Sequence, residues 1–415
     1  YYVSDLSGIP VHQTEYTSET YEAEEQGTDS RTAKAGDKVL LTGGKNAFIA
    51  DFTSNQTEHA AFPFSIWNKT MRAVMNDYQK EMMINPPCGG VMELRKSISS
   101  YLKEFCAMYV RPEQIIIGAG TEYLYSILIQ LLGRNVCYGV ENPGYPKIAK
   151  IYRSMGVKYE YIDLDEEGTS AKKLEEKKVD IMHISPSHHF PTGMVMPISK
   201  RYELLGWVTR KKERYIIEDD YDSEFRYKGK PIPALQGIDR FGRVIYLGTF
   251  SKSVAPSTRI SYMVLPKQLL SRFRECCGFY ACTVPNLMQQ AICQFMKAGY
   301  FEKNLNRMRA IYKAKHDFML AELRKYPWVL NIMGENSGLH LLVEVGTTLT
   351  EQGVIQKCAE QKIRVYGLSE YYISQNPKRE YPILLLGYGG LTEEQIADGL
   401  QMIDGVLAEM ACQTL

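Results

Sequence analysis

Neither sign of charge dominates this chain: 49 basic side chains stand against 48 acidic ones, for a formal net charge of +1. That balance excludes a bulk electrostatic pull toward nucleic acid or a membrane surface. Cysteine is present nine times but at irregular spacing, with no C-x-x-C pair and with Cys276 and Cys277 adjacent. Such usage argues for reduced thiols in a cytoplasmic protein. The seven histidines lack metal-ligand spacing, and neighbours such as His188 and His189 point in different directions, so no metal is expected. No apolar run approaches membrane-spanning length, no signal peptide opens the chain, and no repeat or low-complexity tract interrupts it.

What is there is ample apolar material, 45% of 415 residues, enough for one large or two medium domains. Residues 1–40 stand apart. Their first stretch, YYVSDLSGI, starts as if inside a strand, and 12–37 is acidic (Glu15, Glu19, Glu22, Glu24, Glu25, Asp29) with few large apolar groups. Burial there cannot offset the ordering entropy, so it reads as a linker or arm. Within 41–94 the chain turns aromatic between Phe48 and Trp67 and enters a folded region.

Over 95–300 apolar strand-length runs alternate with helical patterning. The strand candidates are 115–117, 136–140, 157–162, 180–184, 215–218, 244–247 and 260–265. Their spacing implies crossover connections, hence a large α/β domain with a seven-stranded, mostly parallel sheet covered on both faces. Over 301–415 the pattern changes. Leu305, Met308, Tyr312, Met319 and Leu323 follow helical spacing, and an order αβαββα suggests a smaller α+β domain.

The chemistry collects in loops that follow the strands. In VIYLGTFSKSVAPSTRISYMVL, residues 244–265, one lysine, Lys252, sits among Thr249, Ser251 and Ser253 with Arg259 seven residues on. Hydroxyls and an arginine hold a phosphate, and a lysine amine beside them is what a pyridoxal-phosphate Schiff base needs. IIIGAGTEY, 115–123, reads as strand, glycine turn and helix start, where Gly118, Gly120 and the Thr121 hydroxyl let an anion approach a helix N-terminus. YIIEDDYDSEF, 215–225, ends a buried strand in carboxylates and a tyrosine, which are costly to bury without partners. A carboxylate there keeps a pyridinium nitrogen protonated, and a phenol near the ring oxygen lowers the pKa of the imine. SPSHHFPTG (185–193) and ENPGYPK (141–147) follow two more strands, the second offering Tyr145 as a stacking plate and Lys147 as a cation. Each loop alone is ordinary. Together they suit one cofactor, pyridoxal 5'-phosphate, at the C-terminal ends of a parallel sheet.

The run from IIEDDYDSEF through GTFSKSVAPSTRISYMVLP, with SPSHHFPTG upstream, resembles the aminotransferase-like domain of MocR/GabR-type transcriptional regulators of the GntR superfamily. These are fold-type-I pyridoxal-phosphate proteins related to class I/II aminotransferases. The resemblance covers roughly residues 48–410. It implies that Lys252 forms the internal aldimine, Asp219 faces the pyridine nitrogen and Tyr221 reaches the ring oxygen. It also implies that Gly120, Thr121, Thr249, Ser251 and Arg259 surround the phosphate, that Tyr145 stacks on the ring and that Glu122 is among the cofactor-binding residues. It further implies a homodimer, and DNA binding only through a winged-helix domain ahead of this region, of which YYVSD resembles the last strand.

Three departures stand out. The asparagine expected before Pro-Thr-Gly is Phe190, leaving the ring oxygen to another group such as His188. Asn85 stands where a tyrosine is often donated across the dimer. In PILLLGYGG, Leu385 occupies the place of the arginine that anchors a substrate carboxylate in relatives of aspartate aminotransferase, while Lys147 matches an effector-binding position. The expectation is therefore an effector-sensing domain that reacts with an amino acid or amine. The alternative is a stand-alone aminotransferase acting between an amino acid and a 2-oxo acid.

Overall fold

A computed structural model of the chain describes residues 48–53, 62–227, 232–373 and 379–413. The expectations placed on 1–40, a wing strand and an acidic linker, lie outside the described residues. Phe48–Leu415 forms one compact unit.

After a short strand β1 (Ala50–Asp51), the main sheet is built from β2 (Ile115–Gly118), β3 (Tyr138–Asn142), β4 (Tyr159–Asp163), β5 (Ile181–Ile184), β6 (Tyr215–Asp220), β7 (Val244–Thr249) and β8 (Ser261–Val264). Its order is β2-β8-β7-β6-β5-β3-β4. Five strands run parallel, from β7 across to β4. Only β8 is antiparallel to its neighbours β2 and β7. The seven-stranded, mostly parallel sheet expected from the sequence is present. The continuous apolar runs have a plain cause. Tyr215 and Ile217 of β6 pack toward the helix Thr121–Leu132, whereas Ile216 between them packs toward the helix Ile198–Thr209, so both faces are covered.

Strands β3 and β4 lie about two residues later than the apolar runs that announce them. Their ends are polar and still paired: Asn142 lies opposite Asp163 in the ladder, and the Asn142 amide donates to Asp163 Oδ1 at 2.6 Å. Hydropathy undercounts a strand whose last residues satisfy one another.

A second sheet follows, from β9 (Val329–Met333), β10 (His340–Val345), β12 (Tyr366–Gly367) and β13 (Ile383–Gly387), antiparallel in the order β12-β13-β10-β9. Strand β11 (Ile363–Arg364) pairs with β1 in parallel, tying the start of the described chain to this region. The helix Tyr300–Leu323 buries Leu305, Met308, Tyr312, Met319 and Leu323, as their spacing requires. β9 is absent from the expected order αβαββα. It is an edge strand with Leu330 49% exposed, so it carries neither a buried run nor clean alternation. None of the described helices is long and apolar enough to cross a membrane.

The chain leaves β3 toward β4 and then returns to β5 on the other side of β3. Such a reversal opens a crevice beyond the C-terminal strand ends.

Candidate functional site

Beyond those strand ends lies a cavity lined by Gly120, Thr121, Glu122, Tyr145, Asp219, Tyr221, Thr249, Ser251, Lys252 and Arg259, drawn from the loops after β2, β3, β6 and β7. These are residues singled out in the sequence, and the fold brings them together.

The five carboxylates of 218–224 are sorted by their partners. Glu218 accepts the Leu235 and Gln236 backbone N–H groups, each at 2.8 Å, and holds the start of the short helix Leu235–Ile238. Burial pushes it up to about 7 even with Arg201 nearby. Asp220 accepts from Ser223 and from the Tyr246 hydroxyl, at 2.6 and 2.8 Å. Glu224, pushed up to about 8 chiefly by burial, accepts from Tyr101 at 3.3 Å. Asp219 alone of this acidic run lines the cavity, and it is only 8% exposed.

Asp219 is held from behind. The Tyr125 hydroxyl donates to its Oδ2, His183 Nε2 lies 3.4 Å from the same oxygen, and His183 Nδ1 is 2.9 Å from the Tyr152 hydroxyl. Burial, then Asp219 itself, holds the Tyr125 phenol well above its ordinary value, so it stays a donor. Tyr125 and His183 were not found from sequence, although both left a signal. His183 interrupts an apolar strand, and Tyr125 stands one helical turn after Thr121.

At the other end, Gly120 caps the helix Thr121–Leu132 at a positive φ of 90°, and a Cβ there would overlap the Arg259 guanidinium. Glycine lets the arginine lie against the turn. Thr249 Oγ1 donates to Ser251 Oγ at 2.9 Å, and Ser261 Oγ donates to Thr249 Oγ1 at 2.9 Å. A helix N-terminus, three linked hydroxyls and a guanidinium form a donor set for a phosphate. Glu122 bonds Lys147 and lies 3.4 Å from Arg259. That pairing lowers Glu122 and raises Lys147 from their ordinary values. Lys147 sits at the rim rather than among the lining residues.

Burial pulls the Lys252 amine down to about 8, with Asp222 opposing. About a tenth of such amines are uncharged one pH unit below that value. The rate at which the cofactor-free protein captures an aldehyde is therefore expected to climb about tenfold per pH unit up to roughly pH 8 and then level off. Rapid-mixing absorbance between pH 6 and 10 checks this; a rate still climbing steeply at pH 10 would show an ordinary lysine.

Two positions singled out in the sequence lie outside the cavity lining. His188 is not among the lining residues: it stands behind Tyr221, with Nδ1 3.1 Å from the phenol oxygen. Leu385 is fully buried beside Leu342, Leu368 and Ile383, with Phe190, Tyr366 and Tyr371 packed against them. The position where the resemblance leads one to expect a carboxylate anchor lies in an apolar cluster. Phe190 joins this cluster to the cavity, its ring 5.9 Å edge-on from Tyr145. Among the described residues no three His, Cys, Asp or Glu side chains group as metal ligands.

Residues 49–382 match the family model described as aminotransferase class I and II. The chain is 38% identical over 354 residues, 85% of its length, to an uncharacterized HTH-type transcriptional regulator, YdeL of Bacillus subtilis, covering 76% of that protein. It is 29% identical to the probable rhizopine catabolism regulatory protein MocR of Rhizobium meliloti, over 85% of this chain and 71% of that one. In fold it is similar to the kynurenine aminotransferase of Pyrococcus horikoshii, with a TM-score of 0.79 at 22% identity, covering 94% of this chain and 99% of that one. The chain belongs to the aminotransferase class I and II family, in the group whose members include MocR-type HTH transcriptional regulators.

Proposed function

We propose that this chain is the effector-sensing part of a transcriptional regulator, in which an amino compound reacts with pyridoxal 5'-phosphate held as a Schiff base on Lys252. The donor set fits that cofactor: a buried amine with a depressed pKa, a carboxylate with its own supporting donors, and a glycine turn against an arginine. When bound, the group supplies an aldehyde that condenses with amines and a pyridinium ring that accepts an electron pair. Asp219 would hold the ring nitrogen protonated and Tyr221 would face the ring oxygen. Thr249, Ser251, Arg259 and the Gly120–Thr121 turn would hold the phosphate. Tyr145 would cover the ring. Lys147, on leaving Glu122, would meet an effector carboxylate as a point charge. A homodimer would complete the site, and DNA would be reached through a separate DNA-binding domain.

The observation that carries sensing over turnover is Leu385 in its apolar cluster. Efficient amino transfer needs the α-proton aligned over Lys252, which a bidentate guanidinium provides and a lone ammonium does not. Losing a charged hydrogen bond of roughly 1.5–3 kcal/mol slows a step about ten- to a hundredfold. A spectral titration with an amino-acid and amine panel, including D-alanine and γ-aminobutyrate, is expected to show effector adducts that accumulate. Multiple-turnover assays with 2-oxo acids should show negligible product. Turnover at about 1–10³ per second would overturn sensing in favour of a second reading, a stand-alone aminotransferase. The presence of Lys252, Asp219 and Tyr221 in one cavity favours that alternative.

A further inference from the structure

Behind Tyr221 lies a buried pair that the chemistry above does not use. His188, on the loop after β5, and Asp222, just after β6, are 2% and 3% exposed. His188 Nδ1 is 2.9 Å from each oxygen of the Asp222 carboxylate and 3.1 Å from the Tyr221 hydroxyl. Its other nitrogen, Nε2, is buried with no hydrogen-bond partner. The ring is wedged as well as bonded, because a Cβ on Gly338, which has φ of 85°, would overlap it. Gly338 is fixed by its N–H to Phe225 O at 2.9 Å and by the Tyr227 hydroxyl on its own carbonyl at 3.0 Å.

These contacts determine where the hydrogens lie. A carboxylate only accepts, so the Nδ1 shared by both Asp222 oxygens carries the ring hydrogen. The bare nitrogen is then Nε2, which accounts for its burial without a donor. Tyr221 cannot donate to an Nδ1 that already bears a hydrogen. Its oxygen takes a share of that N–H, and its own hydrogen is left to point into the cavity. Burial holds the Tyr221 phenol well above its ordinary value, so that hydrogen stays in place. The other titratable groups around the pair are His189, His340, Asp220, Glu224, Tyr227, Tyr388 and, beyond Asp222, Lys252. Burial pulls His189 down to about 3 and His340 down to about 4, and His340 Nε2 is engaged with the Pro191 carbonyl at 2.9 Å.

We infer that His188, held by Asp222, is a positioning residue that turns the Tyr221 phenol into a donor aimed at the ring oxygen of the bound cofactor. This rests on the cofactor reading above and departs from any direct bond between His188 and the ring. A phenol donating to an anionic ring oxygen favours the unprotonated imine. Losing the aim should therefore raise the pH midpoint of the absorbance change of the lysine-bound cofactor.

The test compares that midpoint in the wild type and five variants, each loaded with pyridoxal phosphate. His188→Leu and Tyr221→Phe are each expected to raise it by about one pH unit or more, a tenfold change in the proton equilibrium. The double variant should move no further than Tyr221→Phe alone, because both act through one hydrogen bond. His188→Asn, whose amide nitrogen can take the place of Nδ1, should restore the midpoint to within a few tenths of wild type. Asp222→Asn can donate to Nδ1, reverse the tautomer and turn the phenol away, so it should resemble His188→Leu and serves if that variant does not fold. An unmoved midpoint in His188→Leu with cofactor bound, or additive shifts in the double variant, would overturn the positioning role alone. A wild-type protein that stays colourless with the cofactor overturns both this role and the cofactor reading.

Discussion

Replacing Lys252 with alanine is expected to abolish the visible band of the protein supplied with pyridoxal phosphate, and borohydride should then fix no cofactor to the chain. The cavity residues proposed to hold the phosphate, Gly120, Thr249, Ser251 and Arg259, are unchanged in this variant, so weak non-covalent binding should persist while the bond to the chain is lost. Removal of the α-proton from an amino acid should fall about 10²–10⁴-fold, the usual contribution of a positioned base. A visible band surviving in Lys252→Ala would move the assignment to another lysine. The same variant reads the electrostatics of the site without cofactor. In the folded chain the amine lies near 8, below its ordinary 10.5. Between those values the unfolded chain binds more protons, so Lys252 makes the wild type more stable as pH rises. Below about pH 8 the folded protein holds a charge that its surroundings disfavour. Cofactor-free Lys252→Ala should thus be no less stable than wild type at pH 7, and any advantage should shrink toward pH 10. Thermal unfolding at the two pH values checks the sign.

Asp219→Asn should leave the fold and the covalent bond intact and suppress the chemistry, again about 10²–10⁴-fold in α-proton removal. The amide has nearly the shape of the carboxylate and can still accept from Tyr125 and His183 through its oxygen. It cannot supply the negative charge that keeps a ring nitrogen protonated. Single-turnover absorbance with a reactive amino acid measures this. Rates within about threefold of wild type, where surface-like substitutions fall, would remove Asp219 from that role. The same change at Asp220 should act differently, lowering stability with little effect on the band, because its partners Ser223 and Tyr246 are structural.

Much of this was legible in the chain itself. The apolar runs that became β2 to β8 are continuous because both faces of the sheet are covered, and a doubly covered parallel sheet leaves few other patterns. Lys252 was legible because polar loop chemistry followed an apolar strand, and Gly120 because a glycine turn joined a strand to a helix. Two kinds of feature were not legible. Weakly patterned elements such as β9, half-exposed at the sheet edge, carry little hydropathic signal. Partnership was the other. From 218 to 224 the sequence offers five acidic side chains that differ only in position, and burial together with the Leu235, Tyr246, Tyr101 and Tyr125 donors decides which one faces the cavity. In the same way His188 and Asp222, 34 positions apart, became a pair set behind Tyr221. Local periodicity records which face of an element is covered. It holds no record of which distant donor meets which acceptor, and that pairing, made only when the loops converge, decides the chemistry of each buried charge.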